Sequence, residues 1–300
     1  MEILILDFRV LIRGLAVSLL CLVMLGGCAR NKAPRLKQGY FGPTLTLPEV
    51  VSKINANNSR IPTLWARFSY EATLIDAETK KETFLFEENS STLQYRAPGE
   101  FRLRASKTGA GTVLDLGINS ERFWLIAPEP GPDTMWWGYL KPNAPLNKEI
   151  PISPQGMLEI LGLSTLNVDL LAEPAPVLRF NNDYRVYMLI WVKQSGDRFV
   201  VTREVWYDMN ELLPVKVLLF DENGRPILRA DLKGHKGISG DAAAPKVATV
   251  YDLFFPETRS KMLMTLTRTE LQHDGAPNDK SFRFVKTIPV KREIRVDEKP

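Results

Sequence analysis

The apolar positions keep two different periods along the chain. From Pro48 to Asn58 they keep helical spacing: Val50, Val51 and Ile54 form one short stripe, Pro48 suits a first turn, and Glu49 suits the positive end of a helix. From Ala66 to Leu74 the period is two. Phe68, Tyr70, Ala72 and Leu74 alternate with Arg67, Ser69, Glu71 and Thr73, the pattern of a half-buried antiparallel strand. Short alternating runs follow at Phe84/Phe86, Leu93/Tyr95, Phe101/Leu103/Ala105, Thr112–Leu116, Arg122–Ala127 and Thr134–Leu140, with polar or Gly-containing turns between them. Ser153-Pro154 then predicts a second helix, with Ser as cap and Pro in its first turn. Met157, Leu158, Ile160, Leu161 and Leu163 make it apolar on nearly every side, so something must cover it. Leu166–Leu171 extends this helical region toward Pro174.

Strands resume at Val177. Arg185–Lys193 and Arg198–Asp208 read as a hairpin around Ser195-Gly196-Asp197. Leu213–Asp221 and Pro226–Gly234 read as another around Glu222-Asn223-Gly224. Lys246–Phe255, Lys261–Leu271, Phe282-Arg283-Phe284 and an edge strand at Lys291–Val296 complete the pattern, with a loop at Ser239–Pro245. So many strands in one sheet must curl or close. Their polar faces predict one wet side, and their apolar faces need the two helices as partners. The expected fold is mainly β with α: a strongly curved antiparallel sheet, a half-open β-barrel, packed on a few helices. Residues 48–300 form this one domain.

The first 47 residues read differently. Arg9 and Arg13 precede a charge-free apolar run, Gly14–Leu25, which ends in Leu25-Gly26-Gly27-Cys28. An apolar residue, two small ones and a Cys make a bacterial lipobox: the small residues let the backbone enter a peptidase that cuts before Cys28, whose thiol carries diacylglycerol. Two other readings stand beside it. A plain signal peptide would cut after a small pair and leave Cys28 incidental, and a membrane-spanning helix needs about 20 apolar residues, more than this run offers. On the lipobox reading, residues 1–27 are a lipoprotein signal peptide and residues 28–47, punctuated by Pro34, Gly39, Gly42 and Pro43, are a lipid-anchored tether. Ala29 stands where an Asp would retain an enteric lipoprotein at the inner membrane. The expected place is the cell envelope, with the outer membrane facing the periplasm favoured.

Composition narrows the chemistry. Of 300 residues, 44% are hydrophobic and 25% charged, which excludes wholesale disorder. The net charge of +4 comes without a block of like charges, so no nucleic-acid partner is expected. The two cysteines, Cys21 and Cys28, both precede the domain, and there are only two histidines. This composition offers neither a disulfide framework nor a Cys/His metal site. His235 and His273 have no Ser or Cys nucleophile at a recognisable spacing. Gly109-Ala110-Gly111 is too short for a phosphate loop. No catalytic residue, metal or cofactor is expected.

Within this pattern several segments resemble the bacterial outer-membrane lipoprotein carrier and receptor superfamily, the LolA/LolB-like fold. They are the helix leading to Ile61-Pro62-Thr63-Leu64-Trp65-Ala66-Arg67-Phe68, and Leu93–Leu103 with its strand, Pro98 and apolar Phe101. Leu114–Asn119 with Phe123-Trp124-Leu125, the late hairpin from Pro214 to Asp231, and Phe282-Arg283-Phe284 through Pro289 to Val296 complete the set. The likeness covers most of residues 49–297. It implies an envelope protein that holds acyl chains in a hydrophobic cavity under a helical lid. Soluble members carry lipoproteins, anchored members receive them, and distant relatives are envelope-stress sensors or glycolipid carriers. One departure is clear. The carrier has an Arg directly before the Pro of its second element, whereas here Ala97 precedes Pro98 and Arg96 stands one residue earlier, on the other face of a strand.

The expected cavity lining is Phe68, Tyr70, Leu74, Phe84, Phe86, Phe101, Leu103, Leu114, Leu116, Val217 and Leu219, with Met157, Leu158, Ile160 and Leu161 as lid candidates. A closed core has the same alternation as a cavity, and a fixed plug the same composition as a lid. Trp136, Trp137 and Tyr139 fit either a membrane-touching segment or an ordinary strand. The expected partners are the membrane, through the lipid anchor, the acyl chains of a lipoprotein or another lipid, and an envelope protein. The leading expectation is non-catalytic acyl-chain binding in lipoprotein or lipid transport. The alternative is an envelope sensor or scaffold, which would show an exposed edge strand or apolar patch. A glycan- or lipid-modifying enzyme would need clustered polar residues inside the concavity.

Overall fold

The computed structural model describes residues 40, 42–75, 80–109, 111–129, 131–140, 154–167, 175–286 and 289–297. The lipobox Leu25–Cys28, and the signal and tether as far as residue 39, lie outside the described residues, as do most of Leu166–Leu171 and part of the Ser153 cap.

The first helix, α1, spans Leu47–Asn58. Its entry is fixed by Glu49, whose carboxylate accepts hydrogen bonds from the Thr46 backbone N–H and hydroxyl, both at 2.7 Å. Those bonds hold the Glu49 carboxyl below the usual carboxylate range. Six strands follow: β1 (Thr63–Ile75), β2 (Glu82–Arg96), β3 (Glu100–Lys107), β4 (Gly111–Ile118), β5 (Arg122–Glu129) and β6 (Gly131–Tyr139). Helix α2 is Pro154–Leu161. Then come β7 (Ala175–Asn181), β8 (Val186–Ser195), β9 (Arg198–Asp208), β10 (Pro214–Phe220) and β11 (Pro226–Lys233). The two-residue pieces β12 (Lys236–Gly237) and β13 (Lys246–Val247), β14 (Val250–Phe255), β15 (Ser260–Glu270) and β16 (Arg292–Arg295) complete the chain.

Apart from the β12–β13 ladder, these strands form one 14-stranded open sheet in the order β16-β6-β5-β4-β3-β2-β1-β15-β14-β11-β10-β9-β8-β7. It is mixed rather than purely antiparallel. The expected edge strand forms, but β16 runs parallel to β6 because the chain crosses the sheet before it returns to that edge. Curvature follows from contacts. Helix α2 touches β4 and β5 and also β10. These lie fourth, third and eleventh in the sheet order. A flat sheet would separate β4 from β10 by about 34 Å at ~4.8 Å per strand, whereas a helix of eight residues is about 12 Å long. Only a tightly curled sheet brings both against one short helix.

Four expectations are corrected. Phe84/Phe86 and Leu93/Tyr95 belong to one strand, β2, and an even and an odd pair on one strand face opposite sides. The ladder keeps this parity through a bulge, with Phe68 opposite Ser91 and Tyr70 opposite Glu87. Phe282-Arg283-Phe284 is not a strand but part of an irregular segment over the convex face. Leu166 lies beyond the end of α2 in non-helical chain, and the run Lys246–Phe255 is broken between β13 and β14.

Candidate functional site

The concave side holds the main core. Phe68, Tyr70, Phe101, Leu103, Leu116, Val217 and Leu219 are all buried there, and Leu74 and Leu114 pack against them half-buried. Met157, Leu158, Ile160 and Leu161 of α2 complete the same cluster. Phe84 and Phe86 do not join it. Opposite Thr73 and Glu71 on the convex side, they are 67% and 46% exposed. Their inner-face neighbour Leu85, opposite Ala72, packs inward instead. The aromatic pair after the Pro-rich turn also divides between faces. Trp136 is buried in the main core, while Trp137 packs in a small second core on the convex face with Trp124, Ile126, Met135, Phe284 and Val290. Both rings belong to the body of the sheet, which is the ordinary-strand reading of that segment.

Two polar devices hold the helices over the concavity. The run Asn55, Asn57 and Asn58 at the end of α1 clasps two neighbouring segments. Asn58 Nδ2 donates to the carbonyls of Gly162 and Ser164, both at 2.9 Å, and Asn55 exchanges bonds with both backbone groups of Leu166. Asn57 does the same with Lys246. The second device is Glu159, the one charged residue of α2. Its carboxylate lies 3.2 Å from Nη1 of Arg203 on β9, and the Arg203 guanidinium stacks 3.7 Å from the centre of the Trp191 ring. Burial pushes the Glu159 carboxyl above its usual range, against the opposing pull of Arg203. The neighbouring Tyr207 phenol, buried on the same strand, is pushed up to about 12 by desolvation.

A buried ion pair occupies the convex face. Arg102 Nε and Nη2 donate to the two oxygens of Asp115 at 3.0 and 2.6 Å, a bidentate pair with both side chains essentially inaccessible. Trp124 Nε1 also donates to Asp115, at 3.1 Å, and Arg102 Nη1 donates to the carbonyls of Ser281 and Arg283. Asn119 donates to the Phe282 carbonyl at 3.0 Å. Together these pin the Ser281–Phe284 strap over β3, β4 and β5. The segments Leu114–Asn119 and Phe123-Trp124-Leu125 stand out in the sequence only through the resemblance, without the purpose of Asp115, Gly117 and Trp124, and sequence reasoning missed Arg102, Glu159 and Arg203. Alternation along β3 places Arg102 outward, so it reads as solvated until the strap covers it.

Among the described residues, hollows also lie outside the main core. One of about 420 Å³ sits between Arg96, Glu100, Asn119–Arg122 and the strap. Its charges face one another, with Arg96 bridging Glu100 and Asp279. Another, of about 370 Å³, lies between the β12 turn and the end of β15. Among the described residues, no group of three or more His, Cys, Asp or Glu is placed to hold a metal ion, and no helix is long and apolar enough to cross a membrane.

These features define a class: an open, strongly curved, mainly β half-barrel whose concave side is covered by helices. No family model matches the chain, and no curated protein matches it. Solved structures do. A LolA superfamily protein from Nitrosomonas europaea is similar over 80% of this chain and 99% of its own, with 10% identity and a TM-score of 0.48. An outer membrane lipoprotein-sorting protein domain from Vibrio parahaemolyticus is similar over 78% and 95%, with 12% identity and a TM-score of 0.45. A DUF1329 family protein from Desulfovibrio piger is similar over 79% and 95%, with 11% identity and a TM-score of 0.44.

Proposed function

We propose that this chain is a lipid-anchored envelope protein that accepts acyl chains of a lipoprotein or another lipid between its curved sheet and helix α2, without catalysis. Residues 1–27 are its signal peptide, Cys28 its lipid attachment point, residues 28–47 its tether and residues 48–300 its binding domain. The observation that carries the reading is the character of α2. Four of its eight residues are large, apolar and buried, and the helix bridges the two arms of the sheet. Its charged contact is one mostly buried ion pair, to Arg203 in the middle of β9. Such a helix is a cover that an acyl chain of the same polarity replaces at small cost, since each buried CH₂ contributes roughly 0.8 kcal/mol. Among the described residues, the space beneath it is lined by the buried side chains of the main core, so binding requires α2 to move.

The test uses the absence of cysteine from the folded domain. A Cβ built at Gly99 would lie 3.6 Å from Cδ2 of Leu158. Gly99→Cys and Leu158→Cys together, joined by a short bis-maleimide, should fix α2 to the β2–β3 turn. The unlinked double variant should bind a fluorescent fatty acid and co-purify with lipid, and the cross-linked form should do neither. Equal binding by both forms, or none by either, sinks the reading.

A further inference from the structure

Three phenylalanines are strongly exposed among the described residues: Phe199 at 73%, Phe84 at 67% and Phe86 at 46%. All three stand toward one rim of the half-barrel. In an up-and-down sheet alternate turns close on the same end, and here the β1–β2 and β8–β9 turns share an end with the β10–β11 and β14–β15 turns. Phe84 and Phe86 stand just inside the β1–β2 turn, and Phe199 stands one residue inside the Gly196-Asp197 turn of β8–β9. Along the register, Thr73 connects Phe84 to Lys261 of β15, which pairs with Phe254 of β14.

We infer that this rim dips into the surface of the bilayer that carries the protein's own anchor, with Phe84, Phe86 and Phe199 entering the interfacial zone. The inference rests on the proposed acylation of Cys28, and it is independent of what the concavity binds. Leu47 follows Cys28 by nineteen positions, a leash of about 65 Å at most at ~3.4 Å per residue. A leash of that reach holds the domain at high effective concentration over the membrane, so even a weak contact is populated. The chemistry of the rim favours lipid over protein. Stable protein interfaces bury about 1,200–2,000 Å² around a contiguous apolar centre. Here the rings are separated by polar and charged side chains on several strands, and a fluid bilayer accepts separated rings without shape complementarity. The turns of this rim carry charges of both signs, such as Asp197 beside Arg198 and Glu257 near Arg259. The contact is therefore made by the aromatic rings and depends little on lipid charge or salt.

The experiment places a single environment-sensitive fluorophore on the acylated, signal-cleaved product, from which Cys21 is lost and in which the blocked Cys28 leaves an introduced cysteine as the only thiol. Phe84→Cys and Phe199→Cys probe the rim. Leu271→Cys, 39% exposed and just past the end of β15, probes the opposite end of the sheet. In vesicles of phosphatidylcholine, labels at 84 and 199 should shift to the blue and be quenched by spin-labelled lipid, while the label at 271 stays water-like. Raising the salt should leave all three unchanged. Equal behaviour at all three sites overturns the inference. So does a blue shift at 84 and 199 without lipid quenching, which would mean contact with a second copy or another protein. Mass spectrometry of the same samples reads the anchor separately. If no acyl mass is found, the anchor reading fails, and the same labels on the Cys21→Ser/Cys28→Ser variant mixed with vesicles decide the rim: quenching at 84 and 199 supports it and water-like emission overturns it.

Discussion

At the scale of single residues the most demanding position is Asp115. It accepts from Arg102 twice and from Trp124 once inside the convex face. Gly117 makes room for this arrangement. A Cβ there would lie 2.1 Å from the Trp124 ring, which no relaxation of a buried indole accommodates. Removing one member of a buried ion pair costs about 3–5 kcal/mol where the other charge is left uncompensated. Arg104 Nε, 3.7 Å from Asp115, softens that cost, so Arg102→Met should lower the unfolding free energy by about the lower end of that range in urea titration, and Asp115→Asn by somewhat less because an amide still accepts from Trp124. The double variant Arg102→Met/Asp115→Leu should cost less than the sum of its parts. Strict additivity would show that the two side chains do not act as a pair. The segments that hold Asp115, Gly117 and Trp124 stand out in the sequence through the resemblance, but Arg102 does not. A charged side chain at an outward strand position is read as solvated, and the strap that buries it arrives from 179 residues away.

At the scale of elements, hydrophobic period located nearly every helix and strand, because a half-buried sheet must alternate and a covering helix must be apolar. It failed where period alone is silent. The alternation of Phe84 and Phe86 alone points them inward, but the inward direction of β2 is set by Leu93 and Tyr95 at its far end. Helix α2 shows the converse: its burial was legible and its ionic contact was not. The Glu159 carboxyl titrates above its unfolded value because burial outweighs Arg203. A carboxyl raised on folding contributes stability that is complete at pH below its unfolded value and is lost as pH rises through its folded value. Glu159→Gln should therefore remove a declining component from the stability–pH profile. The difference between wild type and variant, measured by thermal unfolding from acid to neutral pH, should favour wild type most at the acid end. A difference that instead grows toward neutral pH would mean that the ion pair with Arg203 dominates.

At the scale of the whole molecule, one sheet carries two unequal coverings, a helical one on the concave side and an irregular strap on the convex side. Curvature was legible as a necessity of strand number, whereas the parallel return of β16 was not, since nothing in a four-residue segment specifies which edge it will meet. This architecture orders local stability. Strands β1 and β15 are bonded on both sides near the middle of the sheet order and lie under the core, whereas β7 and β16 each have one bonded neighbour. Helix α2 is short, and its hold on the sheet is apolar packing plus one partly exposed ion pair. Amide exchange reports the free energy of the least costly opening that frees each N–H. Amides of β1 and β15 should exchange only by global unfolding, with a free energy that falls steeply in denaturant. Those of Met157–Leu161 should exchange through a smaller opening whose free energy barely responds to low denaturant, because lifting one helix exposes little surface. Adding a fatty acid should change the α2 rates and leave β1 untouched. If α2 exchanges as slowly as β1 and follows the same denaturant dependence, the helix is a fixed plug of the core and the proposed acyl site has no way in.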